Sequence, residues 1–152
     1  MGRIIPRLGY NSSMAAFRFY HPIEVRYGDL DPQGHVNNAK YLTYCEQARI
    51  AYIREMGLWG GGSFMDLGVI LADAQFTFRA PILFGASVRV GACVTRLGNK
   101  SMSMAYRIED SREGREYATA SSVLVTYDYH SGETIPIPAL WREKIRAFEG
   151  LE

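Results

Sequence analysis

Residues 39–56 contain neither glycine nor proline, and the stretch is entered through Asn37 and Asn38 and left at Gly57. Asn favours the N-cap and Gly the position just past a helix end, so these bounds predict an α-helix over about residues 39–56. Along it Tyr41, Tyr44, Cys45, Ala48 and Tyr52 form one apolar stripe, and Leu42, Ile50 and Ile53 form another. A helix apolar over so much of its circumference has to be covered on more than one side. The rest of the chain must supply that cover.

It does so with strands. The runs 69–78, 87–95, 101–108 and 117–127 are rich in β-branched or aromatic residues or alternate visibly between apolar and polar. Ahead of the helix, Ile23, Val25 and Tyr27 alternate with Glu24, Arg26 and Gly28, which predicts a short strand buried on one face. The later runs are divided by Pro81 and Gly85, by residues 97–100 and by residues 110–114. These hairpin-length breaks predict an antiparallel meander. Trp141, Ile145 and Phe148 recur at helical spacing behind Pro138, which predicts a short helix over 137–149. The fold class expected is α+β, an antiparallel sheet wrapped around one long helix. At 152 residues a single domain over 20–152 is expected, after a flexible segment 1–19.

Charge narrows the function. Seventeen Lys+Arg against sixteen Asp+Glu leave a net charge of +1, without the basic excess of a nucleic-acid or polybasic membrane binder. Cys45 and Cys93 stand far apart with no CxxC or Cys/His cluster, which gives neither a disulfide framework nor a zinc site and reads as two buried thiols. Pro6, Gly9 and Asn11 interrupt the first residues before any apolar run reaches signal-peptide length, and Pro6 stands where a myristoylation signal needs Ser or Thr. No run of 18 apolar residues exists to span a membrane. The cytoplasm is the expected location. Ten Tyr, seven Phe and two Trp exceed what one small core needs and point to a lined groove or an interface.

Between the first strand and the helix lies the most specific stretch. Asp31-Pro32-Gln33-Gly34 has the residue preferences of a type I turn, and Asn37 and Asn38 can cap the helix behind it. A carboxylate just before a helix start has two uses. It can close an Asx turn, or it can act as base or nucleophile beside the positive end of the helix dipole, where backbone N–H groups suit a developing oxyanion. From Tyr27 to Tyr41 the sequence resembles the 4-hydroxybenzoyl-CoA thioesterase-like family of hotdog-fold acyl-CoA thioesterases. The motif is Asp-x-Asp-Pro-x-Gly with a Tyr ten residues after the second Asp, and the order of elements resembles the family over roughly residues 20–130.

The resemblance implies an acyl-CoA substrate, no cofactor, and homodimers or homotetramers with sites at the dimer interface. It implies that Asp31 is the nucleophile or general base in thioester hydrolysis and that the backbone amide at Asn38 polarises the carbonyl. A thioester suits one carboxylate, because its carbonyl is electrophilic and its thiolate leaves readily. Tyr41 is the tyrosine expected to line the acyl pocket, and Lys100 and Ser101 match family positions near the nucleotide end of CoA, with Arg79 and Arg96 as weaker candidates. Other members carry His at the position of Asn38, so His35 either touches substrate or holds the loop.

Two further carboxylates admit two readings each. Asp29 is either a second acid or a strand-end residue that pairs with Arg26 or caps the turn. Glu46 is either a second base on the helix or the ion-pair partner of Arg49. The glycines 60–62 neither follow a strand nor open a helix, so they form no phosphate loop and read as a lid or interface loop. Two other functions use the same residues: a hotdog acyl-CoA hydratase or dehydratase with Asp31 and His35 as the acid/base pair, and a non-catalytic acyl-CoA or acyl-carrier binding module.

Overall fold

The computed structural model describes residues 15–152, so most of the expected flexible segment 1–19 lies outside the described residues. Strand β1 (Phe19–Ile23) is followed by a 3-10 turn at Tyr27–Asp29 and helix α1 (Asn38–Glu55). A second 3-10 turn, Phe64–Asp66, leads into β2 (Val69–Phe78), β3 (Val88–Leu97), β4 (Ser101–Asp110), β5 (Glu116–Asp128), β6 (Glu133–Thr134) and α2 (Ala139–Glu149). The helix and the four long strands fall within two residues of the bounds read from the sequence. The fold is a curled antiparallel sheet with a helix packed against it.

Strand order differs from a meander. Among the described residues the sheet runs β1-β3-β4-β5-β2, with β6 pairing only β5. Strands β3, β4 and β5 are joined by consecutive hairpins, but β2 pairs the outer side of β5, from Val69 opposite Thr126 to Phe78 opposite Ala118. The segment 79–87 is therefore a crossover rather than a hairpin. A short break does not fix which strands become neighbours, and here the far side of β3 is taken by β1. Register shifts occur in β2 between Leu71 and Asp73 and in β3 between Val94 and Arg96. A third falls in β4–β5 pairing between Ile108 and Glu109. Such bulges bend the strand that carries them and curl the sheet.

The first strand also shifts. The alternation at Ile23, Val25 and Tyr27 predicts a strand there, but the ladder ends where Ile23 meets Val88, the first residue of β3. Nothing remains for the next residues to pair with, and Tyr27 is 84% exposed. Pro22 is accommodated because β1 is an edge strand, where a missing N–H need not break a ladder.

Helix α1 buries Tyr41, Tyr44, Cys45, Ala48, Tyr52 and Ile53 in one core with Val90, Ala92, Met104, Tyr106 and Ile108 of the sheet. Both thiols are buried, and burial pushes Cys93 up to about 12 and Cys45 higher still. Helix α2 closes one side of this core with Ile145. It is also tied in through Glu149, whose Oε1 accepts from the Tyr52 hydroxyl (2.7 Å) and from the Val94 N–H at the bulge (3.0 Å). The second stripe of α1 is covered only in part: Ile50 and Ala51 are half-buried, and Thr43, Glu46, Gln47 and Arg54 are exposed. They line a cleft of about 380 Å3 with His21 and Phe64. No helix among the described residues is long and apolar enough to cross a membrane.

Candidate active site

The stretch between β1 and α1 folds as a tight reversal built from its own polar groups. The Gly34 N–H donates to the Asp31 carbonyl (3.0 Å), the bond that closes the expected turn, and the Asp31 N–H donates to the His35 carbonyl (2.7 Å). Gly34 takes φ +81°, the left-handed conformation that follows such a turn at little cost only for glycine. One residue out, Leu30 bridges Val36, and the Asn37 N–H donates to the Asp29 carbonyl (2.8 Å). The crossover holds this reversal from outside, since the Val36 N–H donates to the Ile82 carbonyl (2.9 Å) and His35 bridges Leu83.

The Asp31 side chain closes the Asx turn of its first reading. Its Oδ1 accepts from the Gln33 N–H (2.9 Å) and the His35 N–H (3.2 Å), as in an Asx turn. Its Oδ2 has no hydrogen-bond partner among the described residues, and the residue lines a cleft of about 350 Å3. The carboxylate is thus oriented through one oxygen, and the other is left free of hydrogen bonds among the described residues.

Asn38 lines the same cleft as the first residue of α1. Asn37 caps the helix by accepting from the Ala39 N–H through Oδ1 (2.9 Å), and its carbonyl accepts from the Lys40 N–H (2.8 Å). The Asn38 N–H is left without a partner among the described residues. An unpaired N–H at the positive end of a helix is a ready donor to an oxygen gaining negative charge.

The structure also brings His35 and Tyr41 into this cleft. Tyr41 is buried, burial raises its phenol above the usual tyrosine value, and its ring meets Phe78 edge to face at 5.0 Å. The end of β2 and the crossover behind it add Phe78, Arg79 and Pro81 to the lining. Arg79 pairs with Glu116 at 2.6 Å, and Glu116 lies 3.4 Å from Arg107. No signal in the sequence places Phe78 and Pro81 at the site, because they reach it only through the position of β2 beside β5 and the crossover that follows. Arg79, a weaker candidate for phosphate binding, is the basic residue found at the cleft.

Lys100 and Ser101 do not join this cleft. They form the β3–β4 turn, where Lys100 Nζ donates to the Thr134 carbonyl (3.2 Å) and hydroxyl (3.3 Å). Arg96 is exposed on β3. Glu46 is exposed and lies 3.5 Å from Arg49, the ion pair foreseen as its second reading. Asp29 is 8% exposed and caps the 3-10 turn by accepting the Arg26 N–H at Oδ2 (3.0 Å). Among the described residues no group of three or more His, Cys, Asp or Glu could hold a metal ion.

A curled antiparallel sheet with a helix packed against it is the architecture this chain shares with solved thioesterases. One of them is a thioesterase from Thermus thermophilus, solved in complex with coenzyme A and Zn. It is 35% identical, with a TM-score of 0.78, over 88% of this chain and 96% of its own. The model of the thioesterase-like superfamily matches residues 25–146, and the chain belongs to that family. Among curated relatives, a 1,4-dihydroxy-2-naphthoyl-CoA hydrolase of Synechococcus elongatus is 27% identical over 82% of this chain and 91% of its own length. The long-chain acyl-CoA thioesterase FadM of Escherichia coli is 24% identical over 81% of this chain and 93% of its own.

Proposed function

We propose that this protein hydrolyses an acyl-CoA to the free acid and CoA, with Asp31 as nucleophile or general base and the Asn38 backbone N–H polarising the thioester carbonyl. The observation that carries this reading is the shared cleft, lined both by Asp31, whose carboxylate has one oxygen pinned and the other unpaired, and by Asn38, whose N–H at the start of a capped helix is unpaired. As general base, Asp31 takes a proton from water while the water oxygen attacks the carbonyl carbon. As nucleophile, Asp31 forms a mixed anhydride that water then hydrolyses. In both routes the C–S bond breaks as the tetrahedral intermediate collapses, and the CoA thiolate leaves. The negative oxygen of that intermediate is the group the helix start stabilises.

The same reading includes the hotdog arrangement, with the sheet wrapped about α1 as its central helix, and a homodimer whose interface borders the site. Strand β2 is an edge strand of ten residues with Ile70 and Phe78 exposed. Such an edge invites pairing with a second copy. Phe78 ends that strand and lines the Asp31 cleft, so a copy paired along β2 would border the substrate. Lys100 and Ser101, which lie off the cleft of their own chain, are assigned to the nucleotide end of CoA.

Release of free thiol from aliphatic and aromatic acyl-CoAs tests the activity. Turnover of at least one class is expected. Tight binding of CoA esters without thiol release would favour a non-catalytic module, and loss of enoyl absorbance without thiol release would favour a hydratase built on Asp31 and His35.

A further inference from the structure

Two carboxylates stand two residues apart at this site, and the structure treats them oppositely. Asp31 is fixed by one oxygen and open at the other. Asp29 is buried, and its Oδ2 accepts from both the Arg26 N–H (3.0 Å) and the Tyr44 hydroxyl (2.7 Å), while Lys40 Nζ lies 3.9 Å from Oδ1. Its carbonyl accepts the Asn37 N–H, so Asp29 also closes the base of the reversal whose tip carries Asp31. Tyr44 belongs to the second turn of α1, whose first residue, Asn38, carries the N–H assigned above to the thioester carbonyl.

We propose that Asp29 is a positioning residue, whose carboxylate, gripped by the Tyr44 hydroxyl, sets the distance between Asp31 and the N-terminus of α1. The inference rests on the hydrolytic role of Asp31. Asp31 and Asn38 lie on opposite arms of the reversal and its exit, and neither is bonded to the other. Backbone bonds fix the reversal internally, and two side chains of α1 reach Asp29 from the helix: the Tyr44 hydroxyl through a hydrogen bond of 2.7 Å and Lys40 through a longer, partly exposed ion pair, so the Tyr44 bond is the closer tie. Burial and the adjacent carboxylate keep the Tyr44 phenol protonated, and hence a donor, well above the usual tyrosine range. Displacing reacting groups by about 1 Å costs about a hundredfold in rate. The tie therefore acts on turnover more than on substrate affinity.

The same helix provides a matched control. Tyr52 makes the same kind of bond over the same distance, hydroxyl to carboxylate at 2.7 Å, but to Glu149 of α2 and not to the reversal. Asp29→Ala, which leaves the Tyr44 hydroxyl no acceptor, Tyr44→Phe, the double variant and Tyr52→Phe would be compared in the full chain. Tyr44→Phe and Asp29→Ala are expected to lower kcat by about 10- to 100-fold with KM within about twofold, and the double variant to be no slower than the worse single one. Tyr52→Phe is expected to lower Tm at least as much as Tyr44→Phe and to hold kcat within about twofold of wild type. Equal kcat in Tyr44→Phe and Tyr52→Phe, or additive losses in the double variant, would overturn the proposal.

A second readout does not depend on turnover. Amide exchange at Asn37, whose N–H is bonded to the Asp29 carbonyl, is expected to quicken at least about tenfold in Tyr44→Phe and to keep its wild-type rate in Tyr52→Phe. If no acyl-CoA is hydrolysed but this difference appears, the hydrolytic reading fails while the tie stands. If hydrolysis is normal and the exchange rates match, the tie fails alone.

Discussion

Asn37 separates two properties that most substitutions at a helix start change together. Its Oδ1 accepts the Ala39 N–H at 2.9 Å, and its residue position is next to the Asn38 N–H assigned to the carbonyl oxygen. Asn37→Ala removes the cap, which costs about 1 kcal/mol, or about 2–4 °C in Tm for a chain of this size. Asn37→Asp keeps an acceptor and adds a negative charge at the positive end of the helix, which stabilises by about 0.3–1 kcal/mol. The same charge opposes the oxyanion. At a separation of about 7 Å and an effective dielectric of about 20–40, it raises the barrier by about 1.2–2.4 kcal/mol, or roughly seven- to sixtyfold in kcat. Because Asn37 is exposed, added salt should shrink that loss. Thermal unfolding by circular dichroism and kcat from thiol release measure the two effects on the same samples. The expected outcome is that Asn37→Asp is as stable as wild type or more so, yet slower. Wild-type turnover in a stabilised Asn37→Asp protein would refute the placement of negative charge at this helix start.

Three further outcomes follow from other parts of the fold. Burial holds the Glu149 carboxyl above the ordinary glutamate range; its folded form therefore keeps the proton more tightly than the unfolded chain, and stability is lost as pH rises from the ordinary value of about 4.3 through the raised one. Glu149→Gln keeps an acceptor and removes this titration, so the Tm difference between variant and wild type should grow in favour of the variant across that window; a constant difference would count against it. Lys100→Ala should raise KM for CoA esters with kcat nearly unchanged, and a KM equal to wild type would remove Lys100 from the nucleotide end. Ile70→Lys with Ala74→Lys charges the β2 edge, and sedimentation should then show a monomer with reduced turnover; a persisting dimer would place the interface elsewhere.

What could be read ahead in the sequence was whatever is decided locally. Helix α1 is bounded by residues that cap it, and the runs of β2 to β5 are set by their own alternation and by turn residues. The reversal at Asp31 was legible for the same reason, since Pro32, Gly34 and Asn37 each act within a few residues. Strand neighbours are decided by distant chain. The place of β2 beside β5, and with it the arrival of Phe78, Arg79 and Pro81 at the Asp31 cleft, depends on which edges remain free after β1 takes the far side of β3. The shift of β1 has that origin too, because its length is set by where β3 begins. The grip of Tyr44 on Asp29 joins residues fifteen apart across a turn and a helix start, and no periodicity marks it. The partly open stripe of α1 around Ile50 departs from what hydrophobicity alone predicts, since pattern shows that a face wants cover without showing which chain provides it.

The most direct measurement is kcat of Asp31→Asn on an acyl-CoA that the wild-type protein hydrolyses. Asparagine can still accept the Gln33 and His35 N–H groups through Oδ1, so the turn should survive and Tm should stay close to wild type. Loss of the base or nucleophile is expected to lower kcat by about 10²–10⁴. Wild-type turnover in a folded Asp31→Asn protein would contradict the assignment of the chemistry to this residue.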